Sequence, residues 1–354
     1  MKKVLVRLLT LLIIWYCLSG FKVSGDYYVL TDDNIITDNY VLSHLEDFLS
    51  TQEDLLAVET VCVGTGINVY GTQDYNQVIY PISVGGIVRY ALEVFSDSDG
   101  IGGALSENYV ALFNKTLPQT ERNKPLQLFV HEGVIVGKIG ESVYAIDGIE
   151  INKECFDIKF EASGERRRLE SLKRIKGSEI KSGSGYCSWT VYYSNNSTSF
   201  GIYCGAISLW NLQKNMGYNY FSSYTGLATD ISNTLGIGPC PYLNYSNITS
   251  YLCNKSYSYG CSSNGYMTVS EINTMTYTNH RYGLAFSKTS SSGSGHVTAI
   301  IGYSTSSSGN YAILFDPHGS GNCRITLDLS SRWFTSLGTS YKWDYGYIKN
   351  IYHS

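Results

Sequence analysis

Charge is scarce in this chain. Asp, Glu, Lys and Arg together make up 16% of its 354 residues, well below the usual quarter. The formal net charge is −4, which excludes a nucleic-acid binder that works by bulk positive charge. Proline is scarce too, with 6 copies against 31 tyrosines. Past the first 20 residues no apolar run reaches the length of about 18 that a membrane-spanning helix needs. What is present suits a folded protein. Hydrophobic residues reach 43% and aromatic residues 14%, enough for a packed core and against disorder. The length fits two domains or one large one.

The first 25 residues read as a signal peptide. Lys2, Lys3 and Arg7 precede an apolar run from Leu8 to Leu18, and Ser19, Gly20, Ser24 and Gly25 supply small residues for cleavage, best placed after Gly25. Tyr16 before Cys17 argues against a lipoprotein. The expected address is secreted, extracellular or on the cell surface.

The remaining chain has two compositions. Residues 26–182 carry 25 acids and 14 bases, a net of −11, whereas residues 183–354 carry 5 acids and 8 bases, a net of +3. This predicts an acidic α+β N-terminal domain over 26–164, a basic then Ser/Gly-rich linker over 165–185, and a second α+β domain over 186–354. In the linker, 165–176 suits a solvated helix and Ser182-Gly183-Ser184-Gly185 a flexible joint. In the front half, Val41, Leu42, Leu45, Phe48 and Leu49 follow a helical period. The runs Val78–Ile82, Ile87–Phe95 and Val134–Val136 read as strands. Asp97-Ser98-Asp99-Gly100 lacks the further acids of a calcium loop and reads as a hairpin turn.

In the back half, one helix is expected from Gly205 to about Met216, with others over 223–235 and 269–276. Cys204 stands at the start of the first. A thiol there meets unpaired backbone N–H groups and the positive end of the helix dipole, and both favour the thiolate. His296 opens the strand pattern Gly295–Tyr303, a Ser/Gly turn follows, and Asn310–Phe315 leads to Asp316. A turn centred near residue 306 sets His296 opposite Asp316, so that the carboxylate orients the ring. His318 is the alternative base if the register slips. Cys187 precedes a strand-like stretch and lacks a helix start, and His280 reads as a solvated turn. Cys240, Cys253 and Cys261 have no zinc spacing and no accompanying His. With Cys323 they are candidates for disulfides in a secreted chain.

Tyr203-Cys204-Gly205-Ala206, Gly295-His296-Val297 and Phe315-Asp316-Pro317, in that order, resemble papain-like cysteine peptidases. Within them the resemblance is to the branch of secreted bacterial proteins similar to bacteriocin-leader peptidases, and it covers roughly residues 185–354. It implies a helix carrying the Cys packed on an antiparallel sheet, with Cys204 as nucleophile, His296 as general base and acid, and Asp316 as the His orienter. Such enzymes carry a Gln shortly before the Cys. No Gln lies between 184 and 203, so Asn195 or Asn196 is the expected oxyanion donor beside the Cys204 N–H.

The function expected is a secreted thiol peptidase acting on peptide or protein substrates through an acyl-enzyme, with no metal or organic cofactor implied. Residues 26–164 suit a pro-region that inhibits the site intramolecularly, with Arg166-Arg167-Arg168 as its cut site. The alternatives are a non-catalytic cell-surface or wall-binding module on a decayed peptidase fold, and a cell-wall amidase or acyl transferase using the same triad.

Overall fold

The structure, a computed structural model, describes residues 27–52, 55, 60–151, 164–180, 184–195, 203–238, 243–289 and 295–353. The expected signal peptide, Asn196 and Cys240 lie outside them. The front half runs β1 (Tyr28–Thr31), α1 (Ile35–Ser50), β2 (Thr60–Gly64), β3 (Ile67–Tyr70), β4 (Asn76–Val84), β5 (Ile87–Asp97), β6 (Gly100–Ser106), α2 (Val110–Thr116), β7 (Gln127–His131), β8 (Val134–Ile139), β9 (Ser142–Tyr144), β10 (Glu150–Ile151), β11 (Glu165–Arg168) and β12 (Ser171–Lys176). The back half runs β13 (Ser184–Cys187), α3 (Cys204–Asn215), α4 (Tyr224–Leu235), α5 (Tyr245–Asn254), β14 (Tyr257–Ser262), α6 (Val269–Asn273), β15 (Tyr282–Lys288), β16 (Gly295–Thr305), β17 (Asn310–Phe315), β18 (Arg324–Asp328), β19 (Trp333–Ser336), β20 (Thr339–Lys342) and β21 (Tyr347–His353). The fold is mixed α+β with a large sheet.

One antiparallel ladder crosses both halves. Its order is β12, β2, β4, β5, β6, β18, β17, β16, β15, β21, β14. The junction is short: Leu105 faces Thr326 and Ala104 faces Leu327. Side chains reinforce it. Tyr40 on α1 donates to Asp328 Oδ2 at 2.5 Å, and Thr51 and Thr326 share a 2.7 Å hydroxyl bond. The turn Asp97–Gly100 joins β5 to β6 as a hairpin. Its acids meet a lysine, with Lys342 Nζ at 2.8 Å from Asp97 and 2.6 Å from Asp99.

The stretch expected as helix and linker is sheet. β11 pairs with β1, and β12 pairs with β2. Leu169 and Ile175 are buried among exposed charges, so the basic run is held by two apolar anchors and a hydrogen-bonded ladder. Arg166–Arg168 therefore sit in a paired strand.

β16 is buried along nearly its whole length because both faces are covered. Val297, Ala299 and Ile301 pack in the core that holds α3, α4 and α5, while Ile300 packs with Ala312, Leu314, Phe334 and Trp343 in the core beneath. α4 is capped by Ser223, whose Oγ accepts from Gly226 N at 3.2 Å, and it ends at left-handed Gly236. The expected third helix is α6 followed by a π turn over Thr274–Thr278. α5 lies outside the three helices expected in this half. Its start is fixed by a reciprocal box in which Asn244 Oδ1 accepts from Asn247 N at 2.9 Å and Asn247 Oδ1 accepts from Asn244 N at 3.2 Å. Among the described residues no helix is long and apolar enough to cross a membrane.

The β16–β17 hairpin differs from the expected register. Thr305 faces Asn310 across a four-residue loop, and the pairing holds as far as Gly302 facing Ile313. There Ile301 is bulged out of the ladder, after which Ile300 faces Leu314 and Ala299 faces Phe315. Beyond the bulge the register runs two residues past the one expected. A slip of two keeps every side chain on its face.

Candidate active site

Cys204 is the first residue of α3. One turn later Ser208 Oγ donates to the carbonyl of Val297 at 3.0 Å. That bond ties the helix to the residue beside His296 and sets the thiol next to the ring. Gly205 is required here. A Cβ at this position would stand 2.9 Å from the Leu243 carbonyl oxygen, closer than the backbone allows.

Asp316 follows the end of β17 in a tight turn. Its N–H donates to the Cys323 carbonyl at 2.8 Å, and its own carbonyl accepts from Gly319 N at 3.0 Å. The Asp316 side chain is fully buried. Its Oδ1 accepts from His296 Nε2 at 2.9 Å and from the His318 backbone N–H at 3.0 Å. With Nε2 held by Asp316, Nδ1 is the His296 nitrogen left for the thiol. Phe334 and Tyr341 of the β19–β20 hairpin flank the ring, with centroids 6.1 and 5.0 Å away.

His318 is a fourth member. Its Nδ1 donates to the Asn195 carbonyl at 2.7 Å, and its Nε2 is buried with no hydrogen-bond partner. The Cys204 sulfur and one ring nitrogen each from His296 and His318 all lie within 4.8 Å of one another. The sequence offered His318 as a replacement for His296. The structure brings both to the thiol.

The electrostatics favour an ion pair. Burial opposes ionisation of Cys204, but His296 and then His318 outweigh it and bring the thiol down to about 6. Burial also opposes charge on His296, yet the Asp316 carboxylate and the sulfur raise it to about 10. Burial pushes the Asp316 carboxyl up, and the facing His296 more than offsets this, holding it below its ordinary value. Near neutrality the site therefore holds thiolate, imidazolium and carboxylate in a row. Such a pair can attack a carbonyl carbon and then protonate a leaving amine.

The other candidates are placed elsewhere or committed differently. Asn195 donates its backbone N–H to the Pro317 carbonyl at 2.8 Å while its own carbonyl accepts from His318. Its main chain therefore clamps the 317–318 segment, so a donation from Asn195 to an oxyanion would have to come from its side-chain amide. Cys187 lies on β13, paired to β16. His280 is exposed at a turn with φ of 50°. Cys253, Cys261 and Cys323 are free thiols. Cys323 is buried in the Asp316 turn, its Sγ donating to the Gly319 carbonyl at 3.1 Å, which excludes it from the expected bridge. Sequence reasoning also missed the β19–β20 hairpin beside His296, because nothing local to Phe334 or Tyr341 indicates chemistry.

The chain matches no protein-family model, and no curated protein shows detectable similarity to it.

Proposed function

We propose that the chain is a thiol-dependent peptidase of papain-like type, exported by its N-terminal segment. The observation that carries this reading is the buried row Cys204–His296–Asp316, with the sulfur at a helix start and the imidazole held by a carboxylate. Cys204 Sγ attacks the scissile carbonyl, and the oxyanion that forms meets the Cys204 backbone N–H. The amine leaves with the proton of His296 Nδ1. A water deprotonated by the same nitrogen then hydrolyses the acyl-enzyme. Asp316 keeps the ring in its tautomer and balances the imidazolium throughout.

The front half is proposed to restrain this site. Asn108 supports that role from both sides. Its Oδ1 accepts from Ser320 N at 3.3 Å, in the turn that carries Asp316 and His318. Its Nδ2 donates to the Thr335 carbonyl at 2.5 Å, in the hairpin that flanks His296. Cys204 itself is only 8% exposed.

The test is hydrolysis of a fluorogenic peptide mixture by the purified chain, before and after limited proteolysis. Activity is expected to be blocked by iodoacetamide and abolished in Cys204→Ala, with unchanged circular dichroism. Hydrolysis that persists in Cys204→Ala overturns the peptidase reading. A wild-type chain that neither hydrolyses peptides nor alkylates at Cys204 faster than at its other thiols also overturns it, and leaves the wall-binding module in its place.

A further inference from the structure

We propose that Cys204, His296 and His318 together form a site for one zinc-type divalent ion, and that its occupancy silences the thiol. The binding part stands on geometry alone. The silencing part rests on the peptidase reading above.

A nucleophilic thiol needs one imidazole, and this site has two. His318 is 2% exposed and His296 is 3% exposed. Each ring is anchored on its far side. His296 Nε2–H donates to Asp316 Oδ1 at 2.9 Å, and His318 Nδ1–H donates to the Asn195 carbonyl at 2.7 Å. A carboxylate and a backbone carbonyl are the two acceptors that metal-binding histidines most often use to fix their tautomer and raise their basicity. The far nitrogens being protonated, the near ones, His296 Nδ1 and His318 Nε2, face the sulfur, and loss of the proton that Cys204 shares with His296 Nδ1 leaves both to offer lone pairs to an ion. A buried nitrogen without a partner is costly, and the triad alone gives His318 Nε2 none. An ion shared with Cys204 and His296 supplies that partner.

The donor set selects the ion. One thiolate and two imidazoles suit zinc or cobalt and do not suit calcium or magnesium, which take oxygen ligands. Three protein ligands leave a fourth position for water. Bonds of about 2.0–2.3 Å place tetrahedral ligands ~3.5 Å apart. The present spread of up to 4.8 Å closes to that with small side-chain rotations. Cys204 and His296 share one proton between sulfur and Nδ1. Binding forms one sulfur–metal and two nitrogen–metal bonds, and that proton passes to solvent with no change of oxidation state. The ion then holds both the nucleophile's lone pair and the base's, so neither is free to react with a carbonyl.

The experiment titrates the full-length secreted chain, stripped with chelator, first with Co²⁺ and then with Zn²⁺. One equivalent of Co²⁺ is expected to give tetrahedral visible bands and a sulfur-to-cobalt charge-transfer band, both lost on adding Zn²⁺. The charge-transfer band should vanish in Cys204→Ser. His318→Ala should weaken Zn²⁺ binding at least 100-fold, with His318→Asn as the second variant if the first does not fold. Absence of saturable one-to-one binding in the wild type overturns the site. So does binding that both His318 variants leave within threefold. Zinc bound with these dependences by a chain that hydrolyses nothing overturns the peptidase reading and leaves the metal site standing. An active chain whose hydrolysis is unmoved by saturating zinc overturns the silencing.

Discussion

Among the described residues two carboxylates are fully buried, Glu93 on β5 in the front half and Asp316 after β17 in the back half. Each accepts its hydrogen bonds through one oxygen and leaves the other unpartnered among the described residues. Glu93 Oε2 accepts from Gln77 at 2.7 Å, Tyr109 at 3.0 Å and Thr335 at 2.5 Å. Asp316 accepts from His296 and one backbone N–H. Counting bonds, Glu93 is the better satisfied. Yet burial raises the Glu93 carboxyl to about 7 despite its three donors, while Asp316 is held below its ordinary value. The difference is the charge on the donor. Neutral donors return only part of the desolvation cost, whereas an imidazolium at hydrogen-bond distance returns more than all of it. One carboxylate is built to keep its proton up to about neutral pH and the other to stay an anion. The first is attached to the second's surroundings, since Thr335 sits on the hairpin that flanks His296.

The largest test of this contrast is Asp316→Asn, which gives His296 a neutral partner of the kind Glu93 has. On the proposed mechanism the ring loses its counter-charge and its tautomer, and hydrolysis should fall by roughly 10²–10⁴. Steady-state kinetics at pH 7 check this, and a loss under tenfold would separate Asp316 from the reaction.

The second test is on Glu93. With its folded-state value raised from 4.5 to about 7, the native state holds a proton that the unfolded chain releases between those values. Stability therefore falls as pH rises through that window, by roughly 3 kcal/mol for this group alone. Glu93→Gln should remove that slope. Urea unfolding at pH 5 and pH 8 reads it directly, and equal slopes in both proteins would show that Glu93 stays ionised.

The smallest effect concerns the thiol. Alkylation of Cys204 by iodoacetamide should be half-maximal near pH 6, where burial is outweighed by the two imidazoles. His318→Ala should move that midpoint upward, short of the ordinary thiol value of 9.0, because His296 remains. A midpoint unmoved by His318→Ala would mean the second ring does not act on the sulfur.

The sequence made part of this site visible and hid the rest for physical reasons. Cys204 was legible because a helix start is a local pattern, with Gly205 and an apolar stripe behind it. The strands of His296 and Asp316 were legible from their β-rich runs. Their pairing was not, because Ser304–Gly309 offers no residue that fixes a turn, and the four-residue loop and the Ile301 bulge together moved the register by two. The two departures left Asp316 on the expected side. α5 was hidden because Ile248, Tyr251 and Leu252 are few apolar anchors, and its Asn244 and Asn247 read as turn residues before they read as a cap. β11 and β12 were hidden because their partners lie more than 100 residues away, and a basic run has no local preference that reveals a ladder.

The bulge at Ile301 carries a consequence for how such a site is gained or lost. Near the loop the ladder pairs residues in a register that, carried straight on, would set Gly319 across from His296 and turn Asp316 and His318 to the opposite side of the sheet. The extra residue shifts the count by one, and both come to the His296 side. The chemistry thus depends on chain length between two points as much as on which side chains are present. Substitutions at position 301 that keep an apolar side chain leave the alignment intact. Loss of Ile301 itself removes only the unpaired residue, so Ile300 still faces Leu314, Ala299 still faces Phe315 and the site keeps its alignment. One residue added beside it, with the bulge kept, instead sets Gly319 across from His296 and turns Asp316 and His318 to the opposite side, with no polar residue of the site mutated.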